Sequence, residues 1–339
     1  MNSSESFYCN IFSCHCKLER GLNKNAKIVF KGGQRMKALC AVDGSKFSMR
    51  AVEALRTLFH QSLREVILVH VIDISLLESG LKKEGTKPGK TKKILAALEA
   101  EGKKILKGSE DHATQVFHKK TGKALMKIRS VLAKGHAAHA IVKEAEKREP
   151  HLVVLGSRGF HDIQGYFMGS VSRKVLSHAP GPVLIVKDPM QTPVQMVLAV
   201  DGSSASMRAT NYLKSWVSPE VGSVHVLSVV PQALRGLGSS ARVKPYTKAL
   251  TAAFQKQAQE TMARIRSIFS KSKFGVTFEL VAGSPRETIL DCLVNHEASV
   301  AVLGAKGLTG PQRFQMGSVS EWVAAYSGCS ILVVRPQLR

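Results

Sequence analysis

Two stretches of this chain have the residue types and spacing to hold a phosphate. The first is Val153-Val154-Leu155-Gly156-Ser157-Arg158-Gly159, followed nine residues later by Gly169-Ser170-Val171-Ser172. The second is Ala301-Val302-Leu303-Gly304-Ala305-Lys306-Gly307, followed nine residues later by Gly317-Ser318-Val319-Ser320. Both read G-x2-G-x9-G-S. Glycine lets a backbone approach an anion closely, and a helix start offers N–H groups with no partner inside the helix. The serine hydroxyl adds one more donor, and Arg158 and Lys306 each set a cation inside the loop.

These loops need strands before them and helices after them. The apolar runs that end at Gly156 and Gly304 read as buried strands. Upstream, 38–42 is a short apolar strand broken by Asp43-Gly44-Ser45, with Ser45 placed to cap a helix. Met49, Val52, Leu55 and Leu58 mark that helix. Residues 66–72 are rich in β-branched side chains and form a second strand. A basic stretch follows, with 13 lysines against five acids over 82–127. Ile94, Leu95, Leu98, Ile105 and Leu106 predict a helix through it, after a loop at 85–90. Further strands are expected at 127–133 and 183–186. The pattern then restarts, with strands at 196–200, 223–230, 274–281, 300–303 and 330–334. Gly283-Ser284-Pro285 reads as a helix start, with Ser284 as cap and Pro285 in the first turn.

The restart is a duplication. Residues 42–51 match 200–209 at eight of ten positions, at an offset of 158. At the glycine loops the offset is 148, because the Lys-rich segment lengthens the first copy by ten residues. Self-similarity on this scale repeats a whole domain. The expected organisation is an extension at 1–35, disordered or non-native, a first domain at 36–188, a linker at 189–195 and a second domain at 196–337. Alternating strands and helices imply an α/β fold with a parallel sheet covered on both faces. Ligands in such sheets bind beyond the carboxyl ends of the strands, where the strand order reverses.

Composition narrows the classes. At 339 residues and 44% hydrophobic, the chain can bury two cores. No apolar run reaches the roughly 18 residues of a membrane helix, and no secretory leader is evident, so a cytoplasmic location is expected. Six cysteines do not suggest a disulfide framework. Cys9, Cys14, Cys16 and His15 lack the paired spacing of a closed zinc site, so no metal is expected. Cys40, Cys292 and Cys329 read as core or near-core thiols, and His70 as a packed strand residue. The net charge of +24 favours polyanions without specificity.

The AVDGS segment at 41–45, a strand ending His70-Val71-Ile72-Asp73, and the twice-repeated G-x2-G-x9-G-S together resemble the universal stress protein family, in tandem. The likeness covers about 36–187 and 196–336. It implies five-stranded sheets in the order 3-2-1-4-5, flavodoxin-like and adenine nucleotide alpha hydrolase-like. It also implies an adenine nucleotide ligand, ATP or AMP, with or without magnesium. By that resemblance Asp43 and Asp201 sit at the nucleoside end, and Val71 and Val229 offer backbone groups to adenine. Gly156, Gly159, Gly169, Ser170 and Val171, with Arg158, would line ribose and phosphates. Gly304, Gly307, Gly317, Ser318 and Val319, with Lys306, would do so in the second copy. The first loop departs from the family at Phe160-His161-Asp162, with Gly165 displaced, and Ser228 replaces His70 in the second copy. The second site is therefore the better one.

No signature of an established enzyme class is present: no G-x4-G-K-[ST], G-x-S-x-G or H-E-x-x-H. The leading expectation is a nucleotide-binding regulatory protein of the stress response. The alternatives are a basic scaffold acting through the Lys-rich segment and a slow ATPase. Residues 183–186 and 331–334 are apolar edge strands, which invite pairing. With the family's habit of dimerising there, this predicts an intramolecular pseudo-dimer. Further homo-oligomerisation stays open.

Overall fold

In a computed structural model of the chain, the residues described are 35–74, 88–118, 126–159, 168–231, 244–307 and 316–336. The extension up to residue 34, with its cysteines, lies outside them. So do Phe160-His161-Asp162, Gly165 and the stretch 308–315. The first half runs β1 (Met36–Ala41), α1 (Lys46–Phe59), β2 (Leu63–Ile72), α2 (Pro88–His118), β3 (Lys127–Lys134), α3 (Ala137–Arg148), β4 (Leu152–Gly156), α4 (Ser170–His178) and β5 (Val183–Val186). The second half repeats it as β6 (Val194–Val200), α5 (Ser204–Trp216), β7 (Gly222–Pro231), α6 (Lys244–Phe269), β8 (Gly275–Gly283), α7 (Pro285–Asn295), β9 (Val300–Gly304), α8 (Ser318–Tyr326) and β10 (Ser330–Val334).

The ten strands form one sheet in the order β3-β2-β1-β4-β5-β10-β9-β6-β7-β8. Each half thus has the order 3-2-1-4-5, and the strand-four runs are buried at every position, as a strand covered on both faces must be. Within each half all pairings are parallel; the halves join by one antiparallel pair, Leu332 opposite Leu184. The edge strands expected to pair do so. One apolar cluster runs under the whole sheet on the face of α3, α4, α7 and α8, from Leu39 and Ile67 to Val197 and Leu227. Antiparallel joining with the same helices on the same face places the carboxyl ends of the two halves at opposite ends of the body.

The basic stretch is helical from Pro88, so the loop expected at 85–90 gives way within the described residues. Proline is tolerated in a first helical turn, and α2 turns Leu106, Ala113 and Phe117 inward. Ser45 caps α1 by accepting from Ser48 N at 3.3 Å. Ser284 precedes α7 with no side-chain cap bond; the expected cap is only positional, and Pro285 does open the helix. No helix among the described residues is long and apolar enough to cross a membrane.

Candidate functional site

In both halves strands one and four are neighbours, Leu39 beside Val153 and Val197 beside Ala301. The Asp after strand one therefore meets the glycine loop after strand four, at the point where the strand order reverses. Gly44 and Gly202 hold φ of +79° and +81°, a conformation costly for other residues, and so turn the chain from strand to helix. The turn lets Asp43 Oδ1 accept from Ser45 N at 3.0 Å and Asp201 Oδ1 accept from Ser203 N at 2.9 Å. The other carboxylate oxygen faces the loop. A Cβ on Gly159 would lie 3.0 Å from Asp43 Oδ2, and one on Gly307 would lie 2.7 Å from Asp201 Oδ2.

The second half closes these parts around a cavity of about 340 Å³, within the range of small-molecule sites. Asp201, Val229, Gly304, Lys306, Gly307, Gly317, Ser318 and Val319 all line it. Its mouth includes the start of α8, where Gly317 is the N-cap with no side-chain bond, so the N–H groups of the first turn are left for a ligand. Asp201 is the one carboxylate among the described lining residues. The sequence reading missed the wall supplied by α6, made by Phe254, Gln257 and Ala258. Their spacing of three and four marks one helix face and was the available signal.

In the first half Asp43, Gly156, Gly159, Gly169, Ser170 and Val171 occupy the matching positions at the ends of β1 and β4 and the start of α4. Val71 lies near the end of β2, beside Ala133. Arg158 has its guanidinium carbon 5.9 Å from the Phe47 ring centroid, and Arg50 and Lys46 each lie 5.4 Å from it. The second half has Ala205 there, so this cationic cluster belongs to the first half. His70 Nδ1 lies 2.8 Å from the carbonyl of Val42, beside Asp43. Gly102 of α2 makes room for it, since a Cβ there would lie 3.1 Å from His70 Cδ2. The second half has Ser228 and Ala258 at the matching positions. A bulky strand residue with a glycine is exchanged for a small one with an alanine.

Several loop residues also hold the loop itself in shape. A Cβ on Gly156 would strike the Phe47 backbone at 2.7 Å, and one on Gly304 would strike Ala205 C at 2.6 Å. These first glycines let the opening helix of each half cross the strand end. Gly169 N and Gly317 N each donate at 2.7 Å, to Ser157 O and Ala305 O. Ser172 Oγ and Ser320 Oγ donate to Gly156 O and Gly304 O at 2.8 and 2.7 Å. The second serine of G-S-V-S thus fastens the loop; its chemical role was not legible beside the exposed Ser170 and Ser318.

The family model "Universal stress protein family" matches residues 35–187 and 195–335. The chain belongs to the universal stress protein family. A universal stress protein of Methanocaldococcus jannaschii is 29% identical over 163 residues, covering 48% of this chain and 88% of the relative. The universal stress protein E homolog of Haemophilus influenzae is 23% identical over 243 residues, covering 66% of this chain and 75% of its own. A crystal structure of a universal stress protein from Archaeoglobus fulgidus superposes with a TM-score of 0.59 at 19% identity. It covers 90% of this chain and 97% of that one, a likeness of fold. As a tandem universal stress protein, the chain carries in one polypeptide two family domains joined through their fifth strands.

Proposed function

We propose that this tandem universal stress protein binds an adenine nucleotide, ATP or AMP, in its second half, and that occupancy regulates its contacts with other molecules. The observation that carries the reading is the cavity at the β6–β9 switch point. Its walls combine strand ends, a glycine loop, a cation and an uncapped helix start. Asp201 would accept from ribose hydroxyls, the backbone near Val229 would pair with the base, and Gly307, Gly317, Ser318 and the α8 N–H groups would receive phosphate. Lys306, half-buried at the loop, would add charge, and magnesium would be carried in with the triphosphate. Gly304, Val319 and the α6 face would exclude water. The first half has the same frame with His70 where Ser228 stands, and is the weaker site.

Equilibrium dialysis with ATP, AMP and GTP tests this. One adenine nucleotide per chain is expected, abolished by Gly317→Val and retained in Gly159→Val. Equal binding by wild type, Gly317→Val and Asp201→Ala would overturn the reading.

A further inference from the structure

Away from the nucleotide cavity, four side chains of the second half converge between the sheet and α7. His225 comes from β7, Glu279 from β8, Cys292 from α7 and His296 from the residue that ends α7. One donor atom from each lies within 4.8 Å of all the others. His225 Nε2 is 2.9 Å from Glu279 Oε2, and His296 Nε2 is 3.9 Å from the same oxygen. The two imidazole rings stack with centroids 3.8 Å apart.

We propose that His225, Glu279, Cys292 and His296 form a binding site for a divalent cation of the zinc class. Two imidazole nitrogens, one thiolate and one carboxylate match the tetrahedral preference of Zn²⁺, whereas magnesium and calcium take oxygen donors. Tetrahedral ligands stand roughly 3.5 Å apart at metal–ligand distances near 2.0–2.3 Å. Donors as far as 4.8 Å apart must therefore close by about 1.3 Å, and the His225–Glu279 pair at 2.9 Å must open by about 0.6 Å. Glu279 and His296 can supply these shifts, because their side chains are 44% and 42% exposed. That exposure also gives an ion its way in.

Two further observations support the site. His225 Nδ1 lies 2.8 Å from Thr277 Oγ1 on the neighbouring strand. A histidine ligand is held by such a bond through its other nitrogen, which fixes ring and tautomer. The duplication supplies the control. At the four matching positions the first half has Ile67, Val131, Glu144 and Arg148. Ile67 is buried and Val131 packs on the same core. Glu144 and Arg148 satisfy each other in an ion pair of 2.6 Å. The positions thus change together, from two apolar residues and an ion pair to four residues able to ligate a metal. Cys292 and His296 stand four apart on one helix, a spacing that puts both on one face. An ion there would tie the outermost strand, β8, to α7.

The test titrates Zn²⁺ into the full-length, reduced, chelator-stripped chain against a chromogenic chelator, with Co²⁺ as a spectroscopic probe. One equivalent is expected, with tetrahedral d–d bands and a thiolate-to-cobalt charge-transfer band. His296→Gln and Glu279→Gln, both at exposed side chains, should lower affinity at least as far as loss of an outer-shell partner, about tenfold or more. Thr277→Val should lower it about tenfold while leaving the bands. Cys292→Ser should remove the charge-transfer band. Replacing Cys9, Cys14 and Cys16 together by serine should change nothing. No stoichiometric uptake, uptake indifferent to His296→Gln and Cys292→Ser, or uptake lost with the three N-terminal cysteines would each overturn the proposal.

Discussion

Lys187 and Arg335 occupy matching positions after β5 and β10, and each terminates a helix of the opposite half. Lys187 Nζ donates to Ala324 O at 3.1 Å and Ser327 O at 2.6 Å, at the end of α8. Arg335 donates to Ser177 O at 3.0 Å, Ala179 O at 3.1 Å and Leu176 O, at the end of α4. Cations at carboxyl ends of helices satisfy orphan carbonyls and oppose the negative end of the dipole. The two halves are therefore fastened twice beside the β5–β10 ladder. Replacing either cation by Met should destabilise the chain by about 1–3 kcal/mol, the cost of leaving buried acceptors unpaired, read from urea unfolding.

Lys187 also gives a pH signature. Burial pushes its ammonium down from an ordinary 10.5 to about 8, with the nearby Cys329 and Asp188 opposing and Arg158 assisting. The folded chain releases this proton near 8, while the unfolded chain keeps it to about 10.5. Stability from this residue therefore rises with pH across that window, by up to roughly 1.4 kcal/mol per pH unit. The stability difference between wild type and Lys187→Met should shift toward wild type between pH 8 and 10.5. A difference flat across that window would refute the assignment.

His151 predicts the acid side. Its Nδ1 accepts from Lys37 N at 3.1 Å, and its ring lies 5.1 Å from that of Trp216 in the other half. Burial, with the Lys37 charge assisting, lowers its pKa below the ordinary 6.5. The unfolded chain then binds a proton that the folded chain resists, so this contribution falls as pH drops through 6.5. His151→Gln should show a shallower loss of melting temperature between pH 7 and 5 than wild type.

The glycines of the second loop should separate by phenotype. Gly304→Ala drives a methyl into the Ala205 backbone at 2.6 Å and should lower stability by about 1–3 kcal/mol, as overpacking does. Gly307→Ala meets only the Asp201 carboxylate, at 2.7 Å. It should leave the unfolding free energy within about 0.5 kcal/mol of wild type while weakening nucleotide binding. Urea unfolding beside dialysis distinguishes the two.

His70 and Gly102 should prove coupled. Gly102→Ala alone places a methyl 2.8 Å from Leu132 Cδ1 and 3.1 Å from His70 Cδ2, against a helix-propensity gain of about 1 kcal/mol. In the background of His70→Ser, the pairing found in the second half, part of the clash is gone. A double-mutant cycle should return a coupling of about 0.5–3 kcal/mol, and the double variant should bind nucleotide better in the first half. Additive effects would argue against the exchange.

The alternating pattern of apolar runs and helical stripes made the strands legible, and the duplicated Asp and glycine loop pointed to the place where the second half has its cavity. The sheet order came from the family likeness. What escaped was what depends on register. Lys187 carried no signal because only the antiparallel pairing brings it to Ala324. The packing of Gly156 against Phe47 was not legible, because that contact exists only once α1 crosses β4. His225 and Glu279 are 54 residues apart and meet only through the β7–β8 alignment.

The joined fifth strands have an evolutionary corollary. In a homodimer built on a two-fold axis, any change in one subunit is repeated in the other. Here one chain supplies both sides, and each can vary alone. Phe47 with its three cations is found on one side only, as is the His225–Cys292 group on the other. Fusion leaves the paired scaffold in place and releases its two faces from being copies of each other.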